Sequence, residues 1–219
     1  MNHFPIFLNI EGRRIVVAGG GDAAIAKLRL LMKTTAHLSV VAQNPSAEIE
    51  RLAATGKLRL IRRAFTPGDA LCAALVYGAT ENAAEDARIS AIARAEGALV
   101  NIVDDLAHSQ FITPAIVDRD PVVVAIGTEG AAPVLARTIK ADIEAQLSPR
   151  LGILARIAKT FRHAAEALPM GAKRRDFWAD YYAAAGPRAL EQGEAALTPA
   201  LHALLKGHLN AAPDRKSVV

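Results

Sequence analysis

A chain of 219 residues that is 52% apolar and 22% charged can bury a sizeable core and falls outside the disordered class. Its net charge of +4 leaves anionic partners open, but aromatic residues are only 5% and no basic run alternates with them, which argues against nucleic acid. No apolar run nears the roughly 20 residues that span a bilayer, no signal-like segment opens the chain and a single cysteine excludes an internal disulfide, so the expectation is a cytoplasmic protein with no membrane partner.

Arg14 to Ala18 reads as a strand that breaks into Gly19-Gly20-Gly21, and a helical pattern follows over Ala23 to Met32. His37 to Val41 is a second strand and Ala47 to Thr55 a helix. Leu58 to Arg62 and Leu75 to Gly78 supply two more strands, Glu81 to Glu96 a long helix and Leu99 to Val103 a fifth strand. Strands alternating with helices at this spacing predict a parallel sheet covered on both faces, an α/β doubly wound, Rossmann-like domain. Cys72 lies in the apolar run Ala70 to Leu75 and reads as a buried, inert thiol.

The pattern then changes. Phe111 to Val117 and Pro121 to Ile126 are apolar runs flanking Asp118-Arg119-Asp120, a hairpin that could extend the sheet or pair with another subunit. From Pro133 to Leu205 the chain reads as helical, with breaks at Ser148-Pro149, Pro169-Met170-Gly171, Gly186-Pro187 and near Thr198-Pro199. A polar tail, expected to fray, runs from Asn210 to Val219.

The glycine turn has the order of a dinucleotide fingerprint. The first glycine allows the tight bend, the second lets backbone approach a pyrophosphate, and the small Ala24 lets the helix pack on the strand. Free N–H groups at the helix start then face the anion, which would rest on the turn of Gly19, Gly20 and Gly21. The acid usually expected at the end of the second strand is absent. Gln43 and Asn44 stand there instead, able to bond ribose hydroxyls through their amides, and they do not choose between NAD and NADP.

Ligands of open parallel sheets bind beyond the carboxyl ends of the strands, which selects Thr80 after the fourth strand and Asp104 after the fifth. A carboxylate at Asp104 can accept a proton, and it can equally serve as a turn or cap residue; Asp105 beside it points elsewhere. His108 follows this loop and could face the cleft or simply serve the surface. The six histidines show no H-x-x-x-H or H-E-x-x-H spacing, so no resident metal is expected. No G-x-S-x-G or P-loop lysine supports hydrolysis or phosphoryl transfer. Basic residues gather late, at Arg150, Arg156, Lys159, Arg162, Lys173, Arg174 and Arg175.

Several motifs in order carry a resemblance. Phe4-Pro5-Ile6-Phe7, the Val-Ala-Gly-Gly-Gly-Asp turn, Ala26 to Leu31, Asn101-Ile102-Val103-Asp104, Phe111 to Ala115, Ala132 to Arg137 and Arg174 to Trp178 resemble the dehydrogenase/chelatase part of siroheme synthase, in its stand-alone precorrin-2 dehydrogenase form. The resemblance implies NAD-dependent oxidation of precorrin-2 to sirohydrochlorin by a homodimer, with ferrous iron insertion in bifunctional members, iron being a substrate. It implies an NAD-binding domain over 1–112, a dimerisation region over 113–148 and a helical domain over 149–219 that binds the anionic tetrapyrrole. NAD contacts then fall on Asp22, Ala23, Gln43 and Asn44, and the proton-accepting aspartate on Asp104. The basic cluster becomes a rim for the substrate's carboxylates.

Overall fold

Alternation along the first strand sets the layering of the N-terminal unit. In a computed structural model that describes residues 1–211, Ile15 and Val17 of β1 (Arg14–Ala18) bury toward one face while Val16 and Ala18 bury toward the other. The first face is covered by α1 (Asp22–Leu31) and α2 (Ala47–Ala54), whose Ala24, Leu28, Ile49 and Leu52 are almost fully buried. The second is covered by α3 (Pro67–Ala70) and α4 (Ala83–Ala95), through Ala70, Ile89 and Ala93. Between them lie β2 (His37–Val41), β3 (Arg59–Ile61), β4 (Ala73–Gly78) and β5 (Leu99–Ile102), all parallel, in the order β3-β2-β1-β4-β5. This is the doubly wound, Rossmann-like sheet expected, with its switch point between β1 and β4.

Some local expectations change. The short α3 was not anticipated; a capping box between Thr66 and Asp69 creates it, reinforced by Arg63 binding Asp69 at 2.6 and 2.8 Å. Cys72 is exposed, with φ of +58°, because the apolar run straddles the α3–β4 junction and turns outward before the strand begins at Ala73. Phe111 to Pro114 is not a strand. Gln110 N–H donates to the Val100 carbonyl and Asn101 Nδ2 to the Phe111 carbonyl, and Phe111 then packs edge-on against Tyr77, so the segment covers β4 and β5 without a ladder.

The chain divides into two compact units, Met1–Pro114 with Gly127–Pro133, and Ala115–Ile126 with Val134–Val219. In the second, β6 (Ala115–Arg119) and β7 (Val122–Ile126) form a separate antiparallel hairpin. Helices α5 (Pro133–Gln146), α6 (Leu151–Phe161), α7 (Ala172–Asp180), α8 (Gly186–Glu191) and α9 (Leu197–Asn210) follow. Leu154, Ala158 and Phe161 of α6 meet Phe177, Tyr181, Leu197, Leu201 and Leu205 in one core, with i, i+4, i+7 or i+8 spacing on both long helices.

The expected break at Gly186-Pro187 does not occur. A turn of π-helix over Tyr181–Ala185 runs straight into α8; its wider turn departs from the regular ladder just where Pro187 has no N–H to donate, and Gly186 packs against Tyr181. Pro199 likewise sits inside the first turn of α9, and the break comes earlier, around Gly193. The expected tail lies outside the described residues from 212 onward. Among the described residues no helix is long and apolar enough to cross a membrane.

Candidate functional site

The turn after β1 is shaped by close backbone approach. Gly19 has φ of +141°, and a Cβ there would lie 2.0 Å from the Ala79 carbonyl oxygen; one on Gly20 would lie 2.3 Å from that of Asn44. Both glycines therefore serve to bring the exits of β4 and β2 against the exit of β1. Ala24 is fully buried beneath the helix, as the fingerprint requires. Ile25 N–H makes the first helical bond, to the Gly21 carbonyl. The N–H groups of Gly20, Gly21, Asp22 and Ala24 have no partner among the described residues, which leaves a fan of donors at the positive end of α1.

A carboxylate already leans into that fan. Asn82 caps α4, accepting from Ala84 and Glu85 N–H at 3.1 Å each. Glu81, just before it, is held at φ of +62° and reaches across so that Oε1 accepts the Ala23 N–H at 3.4 Å and lies 2.7 Å from where a Gly21 Cβ would be. Thr80 sits in the same turn, its N–H donating to the buried Asp86 carboxylate at 3.1 Å. Burial pushes the Asp86 carboxyl up, against the hydrogen bonds from Thr80.

Asp104 lies two residues beyond β5 at φ of +60°, exposed, its side chain without a hydrogen-bond partner among the described residues. A left-handed aspartate is uncommon and directs its carboxylate away from the line of the strand. Asp105 points elsewhere, as expected: it accepts from His108 Nδ1 at 2.7 Å and from His108 N–H, and these bonds hold its carboxyl below the usual range. His108 is thereby tied into the loop.

Lys27 is the charged neighbour of Asp104. It occupies the buried stripe of α1 at i+3 from Ala24, half-buried, with Nζ 5.8 Å from the ring centroid of Tyr77 on β4. Burial lowers the Lys27 pKa and the charge of Asp104 opposes that fall. Tyr77 is buried, meets Phe111 edge-on at 5.5 Å and Thr113 Oγ1 at 3.4 Å, and burial raises its pKa.

One sheet edge thus carries the cofactor-binding residues and the aspartate anticipated from the sequence, while the anticipated basic cluster from Arg150 to Arg175 belongs to the second unit. The turn Gly19 to Ala23, exposed Gln43 and Asn44 after β2, Thr80 after β4 and Asp104 after β5 all follow carboxyl ends of strands in the N-terminal unit. Two participants were missed. Lys27 was legible as a lysine at core spacing on α1, and Glu81 as an acid adjoining a selected threonine. The donor fan and the ungrafted glycine backbone fit a pyrophosphate, provided Glu81 withdraws. Among the described residues no group of three His, Cys, Asp or Glu could hold a metal ion.

Comparison with known proteins accords with this geometry. A family described as putative NAD(P)-binding matches residues 6–115, half of the chain, and one described as the sirohaem synthase dimerisation region matches 150–205. The siroheme synthase of Chromobacterium violaceum is 40% identical over 179 residues, covering 81% of this chain and 38% of that protein. That of Ectopseudomonas mendocina is 42% identical over 183 residues, covering 83% and 39%. This chain therefore spans well under half the length of these curated relatives. A solved structure described as SirC, precorrin-2 dehydrogenase, shares the fold with a TM-score of 0.68 at 22% identity, over 95% of this chain and 100% of that one. The cofactor class is a nicotinamide dinucleotide.

Proposed function

The chain belongs to the siroheme synthase N-terminal family, and from that premise we propose that it oxidises precorrin-2 to sirohydrochlorin with NAD as a homodimer. The observation that carries the proposal is the shared sheet edge: a dinucleotide turn after β1 and, after β5, a left-handed Asp104 with no side-chain partner among the described residues, its charge felt by Lys27 of α1. The reaction removes a hydride and a proton from the substrate and yields NADH. Bound nicotinamide supplies the hydride acceptor.

The protein's own residues do the rest. Backbone donors from Gly20 to Ala24 hold the pyrophosphate, Gln43 and Asn44 meet ribose hydroxyls, and Thr80 lines the approach between them. Asp104 accepts the proton leaving a ring position, and with no other partner among the described residues both its oxygens are available for that bond. Lys27 offers a positive charge beside the carboxylate and the anionic substrate. The match of 150–205 to a dimerisation region supports the homodimer.

The second activity proposed is insertion of ferrous iron into sirohydrochlorin, with iron as substrate and Asp104 taking pyrrole protons. Incubating the protein with precorrin-2 and NAD, then with sirohydrochlorin and ferrous ion, tests both steps by NADH absorbance and by the metallated spectrum. Asp104→Asn should slow NADH formation by about 10²- to 10⁴-fold with NAD affinity unchanged. Wild-type turnover by that variant overturns the role of Asp104; NAD binding with no turnover of precorrin-2 points to a dinucleotide-sensing module; metallation no faster than the uncatalysed rate leaves a dehydrogenase alone.

A further inference from the structure

The β4–α4 turn that carries Thr80 and Glu81 is held from beneath by a carboxylate that the proposed reaction does not use. Asp86 lies early in α4 and is only 6% exposed, its Oδ1 accepting the Thr80 N–H at 3.1 Å. It lies against the exit of β4, where a Cβ on Gly78 would stand 3.0 Å from that oxygen and 2.4 Å from Ile102 Cδ1 of β5. Thr80 N is in turn 3.2 Å from the place of a Cβ on Gly19. One line of contacts therefore joins Asp86, Thr80 and the first glycine of the dinucleotide turn, wholly inside the N-terminal unit.

The helix itself does not need this side chain. Asn82 caps α4 through the Ala84 and Glu85 N–H groups, and the Asp86 N–H donates to the Asn82 carbonyl at 2.9 Å. At its outer end the turn is closed by Thr80 Oγ1, which accepts the Asn82 N–H and donates to the Asn82 carbonyl at 3.3 Å each. Asp86 fixes the inner end, and Glu81 projects from between the two toward the Ala23 N–H.

An amide would supply the same acceptor without a buried charge, and among the described residues no cation bonds to Asp86. The charges that bear on it are Glu85 of its own helix and Asp105 after β5, both acids, each tied to a neighbour, Arg88 and His108. Glu81 is the further acid of the turn; Gly78 and Ile102 bring no charge, and α3, packed on the same helix, spends Asp69 on Arg63. Burial raises the Asp86 pKa, the bonds from Thr80 oppose the rise, and Glu85 and Asp105 add to it. The surroundings thus offer this carboxylate no compensation for a further anion brought to the same sheet edge.

We propose that Asp86 is a positioning residue for the dinucleotide: through the Thr80 N–H it holds the exit of β4 against Gly19, and its negative charge opposes the pyrophosphate, so the cofactor binds best when Asp86 is neutral. The role rests on the dinucleotide reading of the glycine turn and is independent of which substrate is oxidised.

Two variants of the intact protein separate the bond from the charge. Asp86→Asn keeps the acceptor and removes the charge; Asp86→Ala removes both. With Glu81→Gln present throughout, so that the turn holds no other acid, NAD should bind about threefold more tightly near pH 5 than near pH 8 by calorimetry. In Asp86→Asn that ratio should fall to about one, with the tighter value at both pH values, whereas Asp86→Ala should bind about tenfold more weakly at both. A cooperative thermal transition shows that each variant folds, and the comparison of Asp86 with Asp86→Asn decides the matter even if Asp86→Ala does not. The same pH ratio in Asp86→Asn overturns the role of the charge, and equal affinities of the Asn and Ala variants overturn the role of the bond. No binding of NAD by the parent protein overturns this role and the proposed function together. The expected pattern of NAD binding without oxidation of precorrin-2 overturns the proposed function and leaves the role of Asp86 standing.

Discussion

Glu81→Gln removes a negative charge held against the N-terminus of α1, where Oε1 accepts the Ala23 N–H at 3.4 Å. That bond is long and its acceptor is exposed, so its worth is that of an anion at a helix start, about 0.3–1 kcal/mol at low salt. A pyrophosphate needs the same donors, so NAD binding must first displace the carboxylate and forfeit that energy. Glutamine keeps the size and loses the charge. The variant should therefore bind NAD about two- to fivefold more tightly by calorimetry, and the gain should shrink as salt rises. The same free energy must appear with opposite sign in the ligand-free protein, as a Tm lower by about 1–4 °C. The two measurements close a thermodynamic cycle. Tighter binding without lost stability, or weaker NAD binding in Glu81→Gln, would falsify the displacement argument, the latter by indicating that Glu81 holds the cofactor rather than yielding to it.

Lys27 has a lowered pKa, so its charge is lost on raising the pH sooner than that of an ordinary lysine. The rate of the proposed precorrin-2 oxidation should show an alkaline limb that Lys27→Arg moves upward, while Lys27→Met lowers kcat with NAD affinity retained; an alkaline limb identical in all three proteins removes Lys27 from the reaction. Asp69 is 2% exposed; burial alone would raise its carboxyl, but bonds from Arg63 and Thr66 outweigh this and hold it below its ordinary value. A depressed folded-state pKa stabilises above the unfolded value, about 3.9, and that contribution is lost as pH falls through the folded value. Asp69→Ala should therefore cost about 2 kcal/mol near neutrality, and the gap to wild type should narrow in acid; a gap independent of pH would refute the charge-based account.

Much of the sheet was legible because its code is redundant. Each strand of the parallel core is a short β-branched or apolar run, bounded by glycine, proline or polar residues, and both faces bury. Errors arose where one apolar run served two elements. Ala70 to Leu75 contains a helix end, an exposed turn at Leu71 and Cys72 and a strand start, and nothing in hydrophobicity marks the joints. The Thr66-Pro67-Gly68-Asp69 signature of a capping box was present and would have located the start of that helix. Phe111 to Pro114 has strand composition, but the Phe111 carbonyl and ring are spent on Asn101 and Tyr77, a tertiary decision invisible along the chain. At Gly186-Pro187 a rule about breakers gave way to packing, since Tyr181 needs the space that a side chain at Gly186 would fill.

The candidate site shows the same division between what sequence order encodes and what folding adds. Asp104 could be selected because strand ends in an open parallel sheet share one edge, and chain order alone marks a strand end. Its left-handed backbone could not be selected, because that conformation is imposed by the loop to which Asp105, His108 and Ser109 are bonded. Lys27 reads locally as an amphipathic helix residue; only the crossing of α1 over β4 puts its ammonium above Tyr77 and within the field of Asp104. Glu81 is the converse case, a residue one step from a selected threonine whose reach depends on a positive φ that composition does not announce. Sequence therefore identifies the groups that can do chemistry at this edge, while the fold decides which charges oppose one another there. If the proposed function holds, that opposition, Glu81 against the incoming phosphate and Lys27 beside Asp104, should set how tightly the cofactor is held and how the rate responds to pH.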